Sequence, residues 1–190
     1  CRLHAYCLMT NHVHLLVTPL REGGCAVLMK SIGQLYAQYV NKTYGKTGHL
    51  WEGRFKSCLV QTEHYVLQCY RYIERNPVRA GLATDCAAYP WSSYAANGLG
   101  LHNPLITPHE EYAHLGSTPA ERQAQYRGLF GEEQSPHQLE EIRGATNGGY
   151  ALGNQTFKCE MARALGRPVE KGSAGRPPRE KKTWSVPDLF

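Results

Sequence analysis

Two histidines one residue apart stand in the run Asn11-His12-Val13-His14-Leu15-Leu16-Val17. On a strand, successive side chains alternate, so His12 and His14 share a face while Val13 points the other way, into a core. Imidazoles spaced about 7 Å along a strand can bind one metal ion from adjacent positions. The competing reading of so short a motif is a pair of surface histidines beside a turn. The apolar flanks weigh against it, because imidazoles buried there without a partner are costly. A second constellation lies on residues 62–76. There Val66, Tyr70 and Ile73 fall at i, i+4 and i+7 and form a core stripe. Tyr72 lies about 200° round the helix from Tyr70 and belongs to another face. Asn76, four residues on, stacks above Tyr72 on that face. An oxygen ligand one turn from a tyrosine suits a metal-assisted tyrosine nucleophile, although packing is the ordinary fate of any one of twelve tyrosines.

The elements that must position these groups can be read from periodicity. Leu3 to Met9 and His12 to Thr18 are β-compatible runs joined by Thr10-Asn11, which predicts a hairpin. From Cys25 to Tyr44, Val27, Leu28, Ile32, Leu35, Tyr36 and Tyr39 recur at helical spacing, with Asn41 and Gly45 as stops. Phe55 to Val60 reads as a strand. Thr62-Glu63 opens a helix to Asn76, which Pro77 must end. Beyond Thr84 the pattern loosens. The stretch Trp91 to Tyr94 has aromatics to pack on a core, and helices are expected near 119–129, 136–143 and 157–165. After Gly166, Gly-Arg-Pro occurs twice (166–168 and 175–177) in a stretch too poor in apolar residues to order itself.

Composition narrows the partners. Residues 1–82 carry ten Lys/Arg against four Asp/Glu (+6), residues 83–165 five against nine (−4), and residues 166–190 six against three (+3). A polyanion would meet the two ends and avoid the middle. The seven cysteines, at 1, 7, 25, 58, 69, 86 and 159, include no C-x-x-C pair, which argues against a zinc ribbon or disulfide framework. They read as small buried hydrophobes in a reducing cytosol. No apolar stretch is long enough to span a membrane, and no secretory signal is visible.

The stretch Tyr6-Cys7-Leu8-Met9-Thr10-Asn11-His12-Val13-His14-Leu15-Leu16 resembles the histidine–hydrophobic–histidine (HUH) region of single-tyrosine insertion-sequence transposases. Three further stretches resemble the REP-associated tyrosine transposase branch. These are Gly48-His49-Leu50-Trp51-Glu52-Gly53-Arg54-Phe55-Lys56-Ser57, Tyr70-Arg71-Tyr72-Ile73-Glu74-Arg75-Asn76-Pro77-Val78-Arg79-Ala80-Gly81, and Trp91-Ser92-Ser93-Tyr94. The resemblance is close over residues 2 to about 97, and Ala145 to Gly153 looks like the C-terminal part of longer members. It implies that His12 and His14 bind the metal, that Tyr72 is the nucleophile and that Asn76 is a third ligand. Many relatives have Gln in that last place. It also implies an α+β, ferredoxin-like HUH endonuclease fold. The order strand, strand, helix, strand, helix matches the last four elements of that fold plus one helix. Its first strand and helix are expected upstream of Cys1. The expected domains are a catalytic domain at 1–97, a mostly helical extension at 98–165, and an unordered basic tail at 166–190.

The activity implied is cleavage and rejoining of hairpin-forming single-stranded DNA through a 5′-phosphotyrosine. Two histidines and an amide suit Mg²⁺ or Mn²⁺ better than structural zinc. Phosphate contacts are expected from Arg54, Lys56, Arg71, Arg75 and Arg79, with Trp51 stacking on unpaired bases, a solvated charged face being the alternative. Each Gly-Arg-Pro is a partial match to a minor-groove hook. A cytoplasmic, nucleoid-associated protein is implied, with a homodimer and a tyrosine acting in trans left open. A histidine-triad nucleotide hydrolase needs a third alternating histidine, and position 16 is Leu16. A non-catalytic DNA-binding module remains the rival, though it could dispense with His12, His14 and Tyr72.

Overall fold

The computed structural model describes residues 1–172, so the second Gly-Arg-Pro and the rest of 173–190 lie outside the described residues. The hairpin is present as expected. Strands β1 (Arg2–Leu8) and β2 (Val13–Thr18) pair antiparallel, with Cys7 opposite His14 and Leu8 opposite Val13. Residues directly opposite each other point to one side of a sheet, so His14 shares the face of the fully buried Cys7. Helix α1 (Gly24–Tyr44) stops at Gly45, whose φ of 61° is a left-handed cap that glycine adopts without a Cβ penalty.

The elements after α1 are β3 (Leu59–Val60), α2 (Thr62–Glu74), α3 (Asn76–Arg79), α4 (Tyr94–Asn97), α5 (Glu110–Ala113), α6 (Pro119–Gly128), α7 (Pro136–Gly148), β4 (Ala151–Leu152) and α8 (Gln155–Leu165). Capping boxes start α6 and α7. Thr118 accepts from the Glu121 amide and Ser135 from the Gln138 amide, each with a proline in the first helical turn. The class is α+β, with a small antiparallel sheet and several helices.

Two expectations change here. The strand expected over 55–60 is reduced to Leu59–Val60, and it pairs in parallel with β4 rather than joining the hairpin. Gly149 ends α7 in the left-handed conformation and turns the chain back. The Tyr150 and Leu152 carbonyls then accept from the Leu59 and Gln61 amides. Among the described residues there are therefore two two-stranded sheets rather than one ferredoxin-like sheet. The single helix expected over 62–76 is also divided. Pro77 stands in the first turn of α3, where its missing N–H costs nothing, so it begins a new turn instead of ending the path. Asn76 is thus the first residue of α3, not the last of α2.

The main core forms where α2 meets the hairpin. Val66, Tyr70 and Ile73, the predicted stripe, are buried together with Ala5 and Cys7 of β1. Tyr94, Tyr112 and Tyr126 complete the same core from beyond residue 90. Burying side chains of this size stabilises the fold by about 1.5–3 kcal/mol each. A second cluster of Cys69, Ile142, Ala145 and Leu152 packs α2 against α7 and β4. The outer edge of β1 is satisfied by loop segments. Leu8 N donates to Trp91 O, Ser93 N to Tyr6 O, and Thr107 N to Leu3 O. In the Trp-Ser-Ser-Tyr stretch it is Ser92, Ser93 and Tyr94 that are buried, while Trp91 is 61% exposed. The apolar stripe of α1 is also largely uncovered, with Leu35 67% exposed. The ordered chain runs on past Gly166. Val169 is buried, its carbonyl accepts from Ala151 N, and Arg167 donates to the Gly149 carbonyl.

Candidate active site

The hairpin turn and α2 bring three of the sequence-selected side chains together. His14 leaves β2 towards α2, and its ring meets the Tyr72 ring edge-to-face at 5.6 Å between centroids. His12 sits just before β2, exposed, with its ring 4.8 Å from that of His14. The two Nε2 atoms are 3.1 Å apart. On the far side of His12, Nδ1 lies 2.6 Å from Asn11 Oδ1. Asn11 therefore holds the proton of His12 on Nδ1 and leaves Nε2 with its lone pair, as an outer partner does for a metal-ligating histidine. Burial pushes the His14 pKa down to about 4, and the nearby His12 and Arg79 push in the same direction. His14 is thus neutral at ordinary pH and can offer a lone pair.

Tyr72 is half-buried, with the Arg79 guanidinium 4.7 Å from its ring centroid. Arg79 Nη2 donates to the Tyr72 carbonyl, which ties α3 to the last turn of α2. Burial lowers the Arg79 pKa, yet Nε and Nη1 have no hydrogen-bond partner among the described residues. Asn76 Nδ2 is likewise buried and unpartnered among the described residues. Unpaired buried donors are uncommon because each costs about 1–3 kcal/mol. Two of these, on Arg79, border this one tyrosine.

The divalent cation implied by the resemblance can be tested against these atoms. Two donors bound at right angles to an ion at roughly 2.1 Å lie about 3 Å apart. The 3.1 Å between the Nε2 atoms fits that, whereas on Asn76 the ligand atom implied by the resemblance is the amide oxygen, the unpartnered atom there being Nδ2, a donor that binds no cation. Among the described residues no group of three His, Cys, Asp or Glu side chains is placed to hold a metal, so a site here depends on the amide or on exogenous oxygens.

The residues expected to contact DNA divide sharply. Arg71 donates to the Glu132 carbonyl, and Arg75 donates to the carbonyls of Phe130 and Glu132. Arg75 also lies 3.9 Å from the exposed Glu133 carboxylate. Both guanidiniums therefore pin the loop after α6 to α2. Trp51 donates its indole N–H to Gly33 O and packs beside Tyr36 on α1. Lys56 reaches Asn147 on α7, and Arg54 is exposed. Arg79 alone of the six lies against the tyrosine.

Residues not singled out from the sequence surround this cluster. Asn11 orients His12. Glu74, fully buried, accepts from Ser93 Oγ (2.5 Å), Tyr126 Oη (2.6 Å) and Asn97 Nδ2 (2.8 Å). Burial raises its pKa to about 7, against the pull of these three donors. A signal was present for Glu74, since it stands four residues after Tyr70 and puts an acid on the apolar stripe.

Residues 1–76 match the family model described as IS200-like transposase. The matched stretch contains Asn11, His12, His14 and Tyr72 and ends at Asn76. The match covers less than half of the chain and is a likeness to that transposase family over this stretch. No curated protein and no solved structure matches the chain. Among the described residues no helix is long and apolar enough to cross a membrane.

Proposed function

We propose that the protein is a REP-associated, HUH-type tyrosine transposase that cleaves and rejoins hairpin-forming single-stranded DNA through Tyr72. The observation that carries this reading is the meeting of Tyr72 with His14, whose Nε2 converges with that of His12. In the reaction Tyr72 Oη attacks the scissile phosphorus and the P–O bond to the 3′ oxygen breaks. The phenol gives up its proton and the departing oxygen takes one up, so one strand leaves as a 3′-hydroxyl and the other stays as a 5′-phosphotyrosine. Attack by another 3′-hydroxyl reverses the step and joins strands. His12 and His14 through Nε2, and Asn76 through its side-chain amide, are the groups that would hold Mg²⁺ or Mn²⁺. Such a cation withdraws charge from a nonbridging phosphate oxygen. Arg79 carries unpartnered N–H groups beside the tyrosine, suited to the phosphate as it approaches.

The test uses labelled hairpin DNA with Mn²⁺, comparing the protein with Tyr72→Phe. A protein–DNA adduct that survives denaturation and is lost in Tyr72→Phe is expected. Hairpin binding without an adduct in either protein would instead favour the non-catalytic DNA-binding module. An adduct that persists in Tyr72→Phe would remove Tyr72 from the mechanism.

A further inference from the structure

We infer that Glu74 is a positioning residue for Tyr72, locked by Ser93, Asn97 and Tyr126 so that α2 presents the tyrosine to His14; this rests on the transposase reading above. Glu74 and Tyr72 are two residues apart on α2 and point to opposite sides of it. Rolling the helix to move one side chain therefore moves the other by a similar amount the other way. Apolar contacts of the Val66, Tyr70 and Ile73 kind tolerate a small roll, whereas hydrogen bonds weaken steeply with angle and distance. The carboxylate is saturated by donors from two different elements and a loop. Ser93 precedes α4, Asn97 ends it, and Tyr126 is on α6. Two of these donors are themselves fixed to β1, since Ser93 Oγ also contacts Tyr6 and Asn97 Nδ2 also donates to His4 O. The cluster thus clamps α2 to the first strand of the hairpin whose second strand carries His14.

The geometry gives the lever a size. A tyrosine ring lies about 6 Å from the helix axis, so a roll of about 20° displaces it by about 2 Å. Misplacement of a reacting group by about 1 Å can cost about 100-fold in rate. The three donors all lie beyond residue 76, so the segment after the family match serves the tyrosine inside it.

Three variants in the intact protein test this. Glu74→Gln keeps an oxygen for Ser93 and Asn97 and can turn its amide towards the Tyr126 hydroxyl oxygen. Tyr126→Phe removes the donor to Oε2, and Glu74→Ala removes the acceptor altogether. At saturating hairpin DNA, Tyr126→Phe and Glu74→Ala are expected to slow adduct formation about tenfold or more, with hairpin Kd within about twofold of wild type. Glu74→Gln should retain the rate within about threefold. Without DNA or metal, the NMR cross-relaxation between His14 and Tyr72 ring protons should persist in Glu74→Gln and weaken in Tyr126→Phe. If Glu74→Ala does not fold, Tyr126→Phe decides. Unchanged rate and unchanged ring contact in Tyr126→Phe overturn the inference, and so does a loss that lies entirely in Kd. If wild type forms no adduct, the transposase reading fails and the ring contact alone decides the role of Glu74.

Discussion

On one side of α2 the Glu74 carboxylate takes three hydrogen bonds and Tyr70 is wholly buried, its hydroxyl accepting from His109 N. On the other side Tyr72 is half-buried, and two donors of the Arg79 guanidinium over its ring go without partners among the described residues. The side of α2 that carries Glu74 and Tyr70 is thus saturated, while the side that carries Tyr72 meets unsaturated donors from α3. Satisfied polar groups define a unique packing, while unsatisfied ones are tolerated where a ligand is to come. The two tyrosines therefore differ in surroundings although they stand only two positions apart.

The largest effect separates them directly. Tyr72→Phe should abolish the covalent adduct while leaving the urea midpoint near that of wild type. Tyr70→Phe should do the reverse, retaining the adduct and losing about 1 kcal/mol of stability with its buried hydrogen bond. Loss of the adduct in both variants, with a normal fold, would erase the contrast between the faces.

A cation for the His12–His14 pair beside Tyr72 can be sought without DNA. Mn²⁺ at about 100 times its Kd should stabilise the protein by about 2.7 kcal/mol, read as a rise in Tm. His14→Ala should show no such rise, and Glu74→Gln should keep it. An equal rise in His14→Ala would locate the ion elsewhere.

The arginines allow the comparison to be sharpened. Arg71 through Nη2 and Arg75 through Nη1 donate to the backbone of 130–132, so Arg75→Ala should lower stability by about 1–2 kcal/mol and leave the salt dependence of DNA binding unchanged. Arg54→Ala, at an exposed position, should cost no stability and reduce the slope of log K against log salt by about 1. Equal slopes for the two variants would remove the distinction between structural and DNA-facing arginines.

The smallest effect lies on the saturated side. His4 Nδ1 bonds the Thr107 carbonyl and Nε2 the Thr18 hydroxyl, a pairing that suits the neutral ring. Burial lowers its pKa below the ordinary 6.5, only partly opposed by the Thr107 bond. The unfolded chain then binds more protons than the folded one just below pH 6.5. This contribution is fully present above that value and is lost as pH falls towards the folded pKa. Urea midpoints measured from neutral to mildly acid pH should fall more steeply in wild type than in His4→Gln.

How much of this was legible in the sequence depends on the range of the interaction. Alternation in 3–18 and the 3.6-residue stripe of Val66, Tyr70 and Ile73 were enough to predict the hairpin, α2 and the opposed directions of Tyr70 and Tyr72, because side-chain direction follows local backbone geometry. The helices near 119–129 and 136–143 were legible for the same reason. The same periodicity in α1 predicted a helix but could not say what covers Leu35, since amphipathicity names a face and not its partner. The strand at 55–60 shrank because its partner is residues 151–152, about ninety positions away. Pro77 read as a stop, yet it stands in the first turn of α3, which the Arg79 and Ala80 amides close on the Arg75 and Asn76 carbonyls. Which arginines are spent on the 130–132 backbone, and which one lies over Tyr72, only the tertiary structure decided. So too with the clamp on Glu74, because its three donors come from residues 93, 97 and 126 and meet the carboxylate only when the chain has folded back on α2.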